Sequence, residues 1–116
     1  MFKIRIAFRL MLLAVGTLLS QEAGAATVNT PLTQIVNIYA YTDFGTGDVL
    51  FRTASLAPGC DGFWLQPTDV GFKQVLSLLV LAKAAQSDVT VYAYDNQIWS
   101  GSSTGHFCRA MMVNVQ

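Results

Sequence analysis

The chain has 116 residues, 53% of them hydrophobic and 12% charged, enough apolar material for one small core and too little length for two. Seven basic residues face seven acidic ones, a balance that excludes the basic stripe by which nucleic-acid-binding domains hold phosphates. No polybasic cluster for an anionic lipid surface survives beyond the first ten residues either.

The chain opens with Lys3, Arg5 and Arg9, continues into an apolar run over residues 10–19 broken only by Gly16 and Thr17, and reaches Ala23-Gly24-Ala25. A basic start, a short apolar stretch and a small-residue cleavage site are the three parts of a Sec-type signal peptide, expected here over residues 1–25. The apolar run is about ten residues where a span needs roughly twenty, so no membrane span is expected after cleavage. The mature protein is then a single domain over residues 26–116, secreted or periplasmic in a bacterium. It keeps four basic residues against six aspartates.

Residues 33–42 alternate Ile35, Asn37, Tyr39 and Tyr41 with Val36, Ile38 and Ala40, and both sets are largely apolar, which predicts a central strand. Asp43-Phe44-Gly45-Thr46-Gly47-Asp48 is turn-rich and predicts a hairpin into a second strand over residues 49–55. A further turn cluster, Ala57-Pro58-Gly59-Cys60-Asp61-Gly62, precedes Phe63-Trp64-Leu65, a short third strand. Pro67-Thr68-Asp69 marks a helix start with Thr68 or Asp69 as the cap, and the helix is expected over residues 70–85. Phe72, Val75, Leu76, Leu79, Ala82 and Lys83 trace one face of it. Leu78, Val80 and Leu81 carry apolar character beyond that face, so they are candidates for an oligomer interface. Residues 88–94 alternate Val89, Val91 and Ala93 with Thr90, Tyr92 and Tyr94, predicting a strand that ends in an Asp95-Asn96 turn before a short segment over residues 97–100. After the loop Gly101-Ser102-Ser103-Thr104-Gly105, residues 107–115 form a last alternating strand. Three strands, a helix and two strands is the order of an OB-fold. The expected class is therefore mainly β with one helix, a small OB-fold-like Greek-key β-barrel with the helix between the third and fourth strands.

Cys60 and Cys108 are the only cysteines, and in an exported chain an even pair predicts one intramolecular disulfide. Closing a loop of about fifty residues would stabilise the fold by up to about 4 kcal/mol in the chain-entropy model. With those thiols joined, the single histidine, His106, has no cysteine partner for nucleophilic chemistry. After processing no glutamate remains, and the aspartates stand singly in turns. No catalytic residue, metal ligand or cofactor site is assigned: one histidine and two oxidised cysteines cannot close a zinc site, and the residue 43–48 loop lacks the ligand count of a calcium loop.

The aromatic residues are many for so short a chain. Tyr92, Tyr94 and Trp99 cluster around Asp95-Asn96, close in sequence to the hydroxyls of Ser102 and Ser103. Flat apolar rings beside hydroxyl, amide and carboxylate groups suit a glycan, so Tyr92, Tyr94, Asp95, Asn96, Trp99, Ser102 and Ser103 are the candidate glycan-binding residues.

The signal peptide, the hairpin, a cysteine before the helix, the helix itself, the Val89-Thr90-Val91-Tyr92 strand and a final strand carrying the second cysteine together give the chain its resemblance. It resembles the receptor-binding B subunits of pentameric bacterial toxins, in the subtilase-cytotoxin and pertussis-type branch, over most of residues 33–115. The resemblance lies in architecture and spacing. It implies an OB-fold protomer in a homo-oligomeric ring such as a pentamer, helices lining the ring's centre, a cell-surface glycan as ligand, and a catalytic partner subunit. The expected function is thus a non-enzymatic, exported glycan- or receptor-binding module. The alternative is a small exported structural or inhibitor-like protein that binds another protein through its apolar helix and has no sugar site.

Overall fold

A computed structural model describes residues 26–103 and 105–116. The expected signal peptide, residues 1–25, lies outside them, as does Thr104. The chain forms β1 (Thr27–Asn29), β2 (Ile35–Ala40), β3 (Val49–Thr53), β4 (Gly62–Leu65), α1 (Phe72–Ala85), β5 (Val89–Ile98) and β6 (Phe107–Val115). Among the described residues the protein is mainly β with a single helix.

The six strands make one sheet in the order β1-β5-β6-β4-β3-β2. All neighbours run antiparallel except β4 and β6, which are parallel. The stretch from Thr27 to Ala40 serves both ends of that order. Its first half pairs with β5, with Thr27 opposite Tyr94, and Thr33 then exchanges backbone hydrogen bonds of 2.7 and 2.9 Å with Val89. Its second half pairs with β3. One bent stretch therefore joins the two ends of the sheet, and the strand order becomes that of a small closed barrel. Thr30 sits at the bend, fully buried, with its Oγ1 accepting the Val91 amide at 3.1 Å.

Two strand expectations change. β1 had no predicted counterpart, because three residues are too few to show alternation. Ile35–Ala40 also proves not to be central. Beyond Thr33 it pairs with β3 alone, and Val36, Asn37 and Ala40 are exposed. Apolar residues on both faces had suggested two covered faces, but the strand leaves the sheet's other half behind at the bend.

The helix begins later than expected. Gly71 occupies the cap position and no side chain caps it, while Asp69 turns instead to Arg109 as its ion-pair partner. Its backbone carbonyl still accepts the Phe72 amide, at 3.1 Å. The helix ends where Gln86 adopts a left-handed conformation, with φ of 53°, and its amide returns to the last turn. Phe72, Val75, Leu76, Leu79 and Ala82 lie against the barrel at helical spacing, and only Leu79 and Ala82 are fully buried. Lys83, expected on this face, is exposed.

The core packs Phe51 on Phe63, ring centroids 5.2 Å apart, among Val49, Leu65, Leu79, Val89, Val91 and Val113. Cys60 and Cys108 form the expected disulfide, with Cα atoms 5.6 Å apart, inside the range a bridge can span. It ties the turn before β4 to β6 within the core. No helix among the described residues is long and apolar enough to cross a membrane.

Candidate functional site

Because strand side chains alternate, Phe51 and Phe63 point into the core while Leu50, Arg52 and Trp64 point outward. The outward side of β3, β4 and β6 would ordinarily meet water. Here it carries a second apolar layer of Leu50, Trp99 and Phe107, with Tyr39 and Trp64 packed against it. Leu50 has no exposed surface at all.

Two loops supply the cover. The residue 41–48 loop between β2 and β3 closes through Tyr41 N–H to the Asp48 carbonyl, 2.9 Å, and through the Gly47 and Asp48 amides onto the Phe44 carbonyl. The second is the segment after β5. Trp99 donates its backbone N–H to Phe107 at 2.9 Å and its indole Nε1–H to Asp48 Oδ2, also at 2.9 Å. The indole thus locks the two loops together through a carboxylate that is itself only 4% exposed. Gly101 permits this packing, since a Cβ there would meet the Trp99 ring at 2.5 Å.

Over the indole lie the rings of Tyr41 and Phe44, with centroids 5.3 and 5.1 Å from it and 5.7 Å from each other. Both remain about two-fifths exposed, 40% and 42%, whereas Trp99 is 7% exposed. Tyr39 extends the group at 6.2 Å from Tyr41. The outcome is an aromatic platform with a buried foundation, and its accessible rings come from the β2–β3 loop. Thr42, Asp43 and Thr46 of the same loop surround it with exposed polar groups.

On the far side of Phe107 the face opens into a groove of about 500 Å³ lined by Val36, Arg52, Thr53, Leu56, Asp61, Gly105 and Phe107. Arg52 stands over the Phe107 ring, its guanidinium carbon 5.1 Å from the centroid. Among the described residues the one ion pair joins Arg109 to Asp69, so Arg52 reaches the groove without a carboxylate partner. Asp61 is committed to the fold: its Oδ2 accepts the His106 amide at 2.7 Å, and its own amide donates to the His106 carbonyl at 2.7 Å. Compared with known proteins, the chain matches no family model, no curated sequence and no solved structure.

The predicted glycan residues do not converge. Asp95-Asn96 is not a turn, because β5 continues to Ile98 with an irregularity between Tyr94 and Ile98. The Gln97–Ile98 part of the expected separate segment belongs to that strand. Tyr92 faces Met112, and Tyr94 faces Arg109 in a cavity beside the helix start. No ring contact among the described residues joins either tyrosine to Trp99. Trp99 is a core residue of the second layer. Ser102 accepts the Phe107 amide at 3.3 Å and helps hold the loop, and Ser103 is exposed beside it. Sequence reasoning placed Tyr41 and Phe44 in a strand and a hairpin turn. Phe44 did carry a signal: a large apolar residue inside a glycine- and aspartate-rich turn has no role in forming the turn itself.

Leu78, Val80 and Leu81 are 38%, 54% and 64% exposed on the outer side of α1. No cluster of three or more potential metal-ligating side chains is present among the described residues.

Proposed function

We propose that the protein is an exported, non-enzymatic binding module that recognises a glycan on the face formed by the β2–β3 loop and the outer side of β3 and β4. One observation carries this reading: Tyr41 and Phe44 are held partly exposed by a buried tryptophan that the fold ties to both flanking loops. A preorganised pair of rings, tilted at 50° to one another, offers sugar C–H groups two apolar ring surfaces at little ordering cost. The strand 2–3 face, with the loop after the first strand and the loop before the last, is also where OB barrels take up oligosaccharides and oligonucleotides. Four basic residues against six aspartates over residues 26–116 favour the sugar over the nucleic acid. Arg52 supplies hydrogen-bond donors along the adjoining groove, while the buried Thr53 hydroxyl is already committed to the Ser55 carbonyl at 2.7 Å.

A specific observation favours a second reading. The exposed Leu78, Val80 and Leu81 side chains make the outer side of α1 apolar, the kind of patch that seeks a protein partner. In a homo-oligomer such as a pentameric ring the helices would meet at the centre and leave the aromatic faces turned outward, whereas a helix-mediated protein binder needs no sugar site. Glycan-array binding by oxidised protein over residues 26–116 separates them. Retention that falls in Tyr41→Ala and Phe44→Ala supports the glycan module. An array with no retained glycan leaves the helix-mediated protein binder.

A further inference from the structure

A second site stands apart from the aromatic platform. Where α1 begins, Leu65, Phe72, Val75, Ala110 and Met111 wall an apolar cavity of about 190 Å³, and Asp69, Arg109 and Tyr94 stand at it as its polar residues. One wall lies where β6 is irregular: Ala93 pairs with Ala110 and Tyr92 with Met112, leaving Met111 unpaired as the extra residue of a bulge. The cavity is half-open to solvent, and its volume is of the order of that of the enclosed cavities of about 150 Å³ that admit benzene.

The polar residues are organised rather than loose. Arg109 donates to Asp69 Oδ1 and, through Nη1, to Gln97 Oε1 at 3.1 Å, while its guanidinium carbon lies 5.9 Å from the centroid of the Trp64 ring. These contacts occupy two of its five N–H donors. Asp69 Oδ2 accepts no protein hydrogen bond among the described residues. Both side chains keep about three-tenths of their surface in water, 30% and 29%. A fixed cationic fork and a fixed carboxylate therefore sit side by side at an apolar hole.

We propose that this cavity binds a free α-amino acid with a medium-sized apolar side chain, such as leucine or phenylalanine. The side chain enters the cavity, the α-carboxylate takes Arg109 N–H donors left over from Asp69 and Gln97, and the α-ammonium meets Asp69 Oδ2. The ion pair itself selects the ligand class. A lone carboxylate is repelled by Asp69, a lone amine by Arg109, and a neutral apolar molecule leaves both charges without new partners. A zwitterion matches both, and the apolar walls reject glycine for want of a group to bury.

The test is a titration of ¹⁵N-labelled, oxidised protein with leucine and phenylalanine, compared with glycine, isovalerate and isopentylamine. Saturable shifts at Val75, Tyr94, Ala110 and Met111 are expected for the two amino acids, with affinities at least about tenfold above those of the three comparators. Met111→Trp should fill the cavity and abolish the shifts. Asp69→Asn should retain the cavity and remove the preference for leucine over isovalerate, so the proposal stands or falls even where the tryptophan variant fails to fold. Absence of saturable shifts at millimolar amino acid overturns it. Equal binding of isovalerate or isopentylamine to the unmodified protein, or an unchanged preference in Asp69→Asn, overturns it as well.

Discussion

Replacing Trp99 by alanine should destabilise the protein without first acting on a ligand. The indole is 7% exposed and supports Leu50 and Phe107, so its removal opens a cavity in the second layer. That loss is worth about 3 to 5 kcal/mol. The change also strips the Nε1–H donor from Asp48 Oδ2, a carboxylate that is 4% exposed and among the described residues has only the long 3.4 Å Thr46 hydroxyl contact besides. Orphaning a buried acceptor costs about 1 to 3 kcal/mol, more for a charged group. The two terms overlap, because water entering the new cavity rehydrates the carboxylate, so about 4 to 6 kcal/mol is expected in all. In a domain this small, that corresponds to a fall in Tm of more than about 15 °C. Trp99→Phe separates the terms: it keeps most of the ring and loses only the donor, so it should cost about 1 to 3 kcal/mol. Urea denaturation of the oxidised proteins, followed by circular dichroism, measures both. A loss below about 1 kcal/mol for Trp99→Ala would refute the view that the indole is the foundation of the platform.

Reducing or removing the Cys60–Cys108 bridge should lower stability by about 2 to 4 kcal/mol, since it closes a loop with a sequence separation of 48; denaturation with and without reductant checks this, and two free thiols in protein recovered from the periplasm or medium would contradict it. Thr30→Val should cost about 1 to 2 kcal/mol by leaving the buried Val91 amide without its hydroxyl acceptor, with hydrogen exchange quickening first at the β1–β5 seam. If α1 carries the homo-oligomer contact, Leu81→Glu should convert the assembly to monomer while leaving the circular dichroism spectrum intact, because an unpaired charge at an apolar interface is heavily penalised. Light scattering decides that case, and a strict monomer in the unmodified protein would rule the contact out.

The elements legible in the sequence were those with enough residues to show a period. β6 fell where alternation put it and β5 began where alternation put it, β3 and β4 followed the turn clusters before them, and α1 lay under its apolar stripe from Phe72 onward. The disulfide followed from the cysteine count alone. The helix start was misplaced because Asp69 has the chemistry of a cap but is claimed by Arg109, forty residues further along the chain. Such competition is a tertiary fact. The Asp95-Asn96 turn was misread for a related reason: those residue types favour turns, yet β6 holds the strand in place through to Ile98, opposite Cys108. The candidate site was half legible. Aromatic residues were expected to matter, but nearness in sequence grouped Trp99 with Tyr92 and Tyr94. The fold instead sends Trp99 to Tyr41 and Phe44, and Tyr94 to the helix start. Which rings stay exposed depends on the crossing of two loops, and no local pattern encodes that crossing.

The most direct test of a glycan face at the β2–β3 loop is a titration of the oxidised protein with the strongest glycan from an array, run in parallel on Tyr41→Ala/Phe44→Ala. The unmodified protein should show saturable shifts centred on Tyr41, Phe44 and the Arg52 groove. The double variant should lose at least about tenfold in affinity, or 1.4 kcal/mol of binding energy, while remaining folded by circular dichroism at a lowered Tm, because both rings also cover the Trp99 indole. Equal affinity in the two proteins, or shifts that leave residues 41–48 untouched, would contradict the assignment.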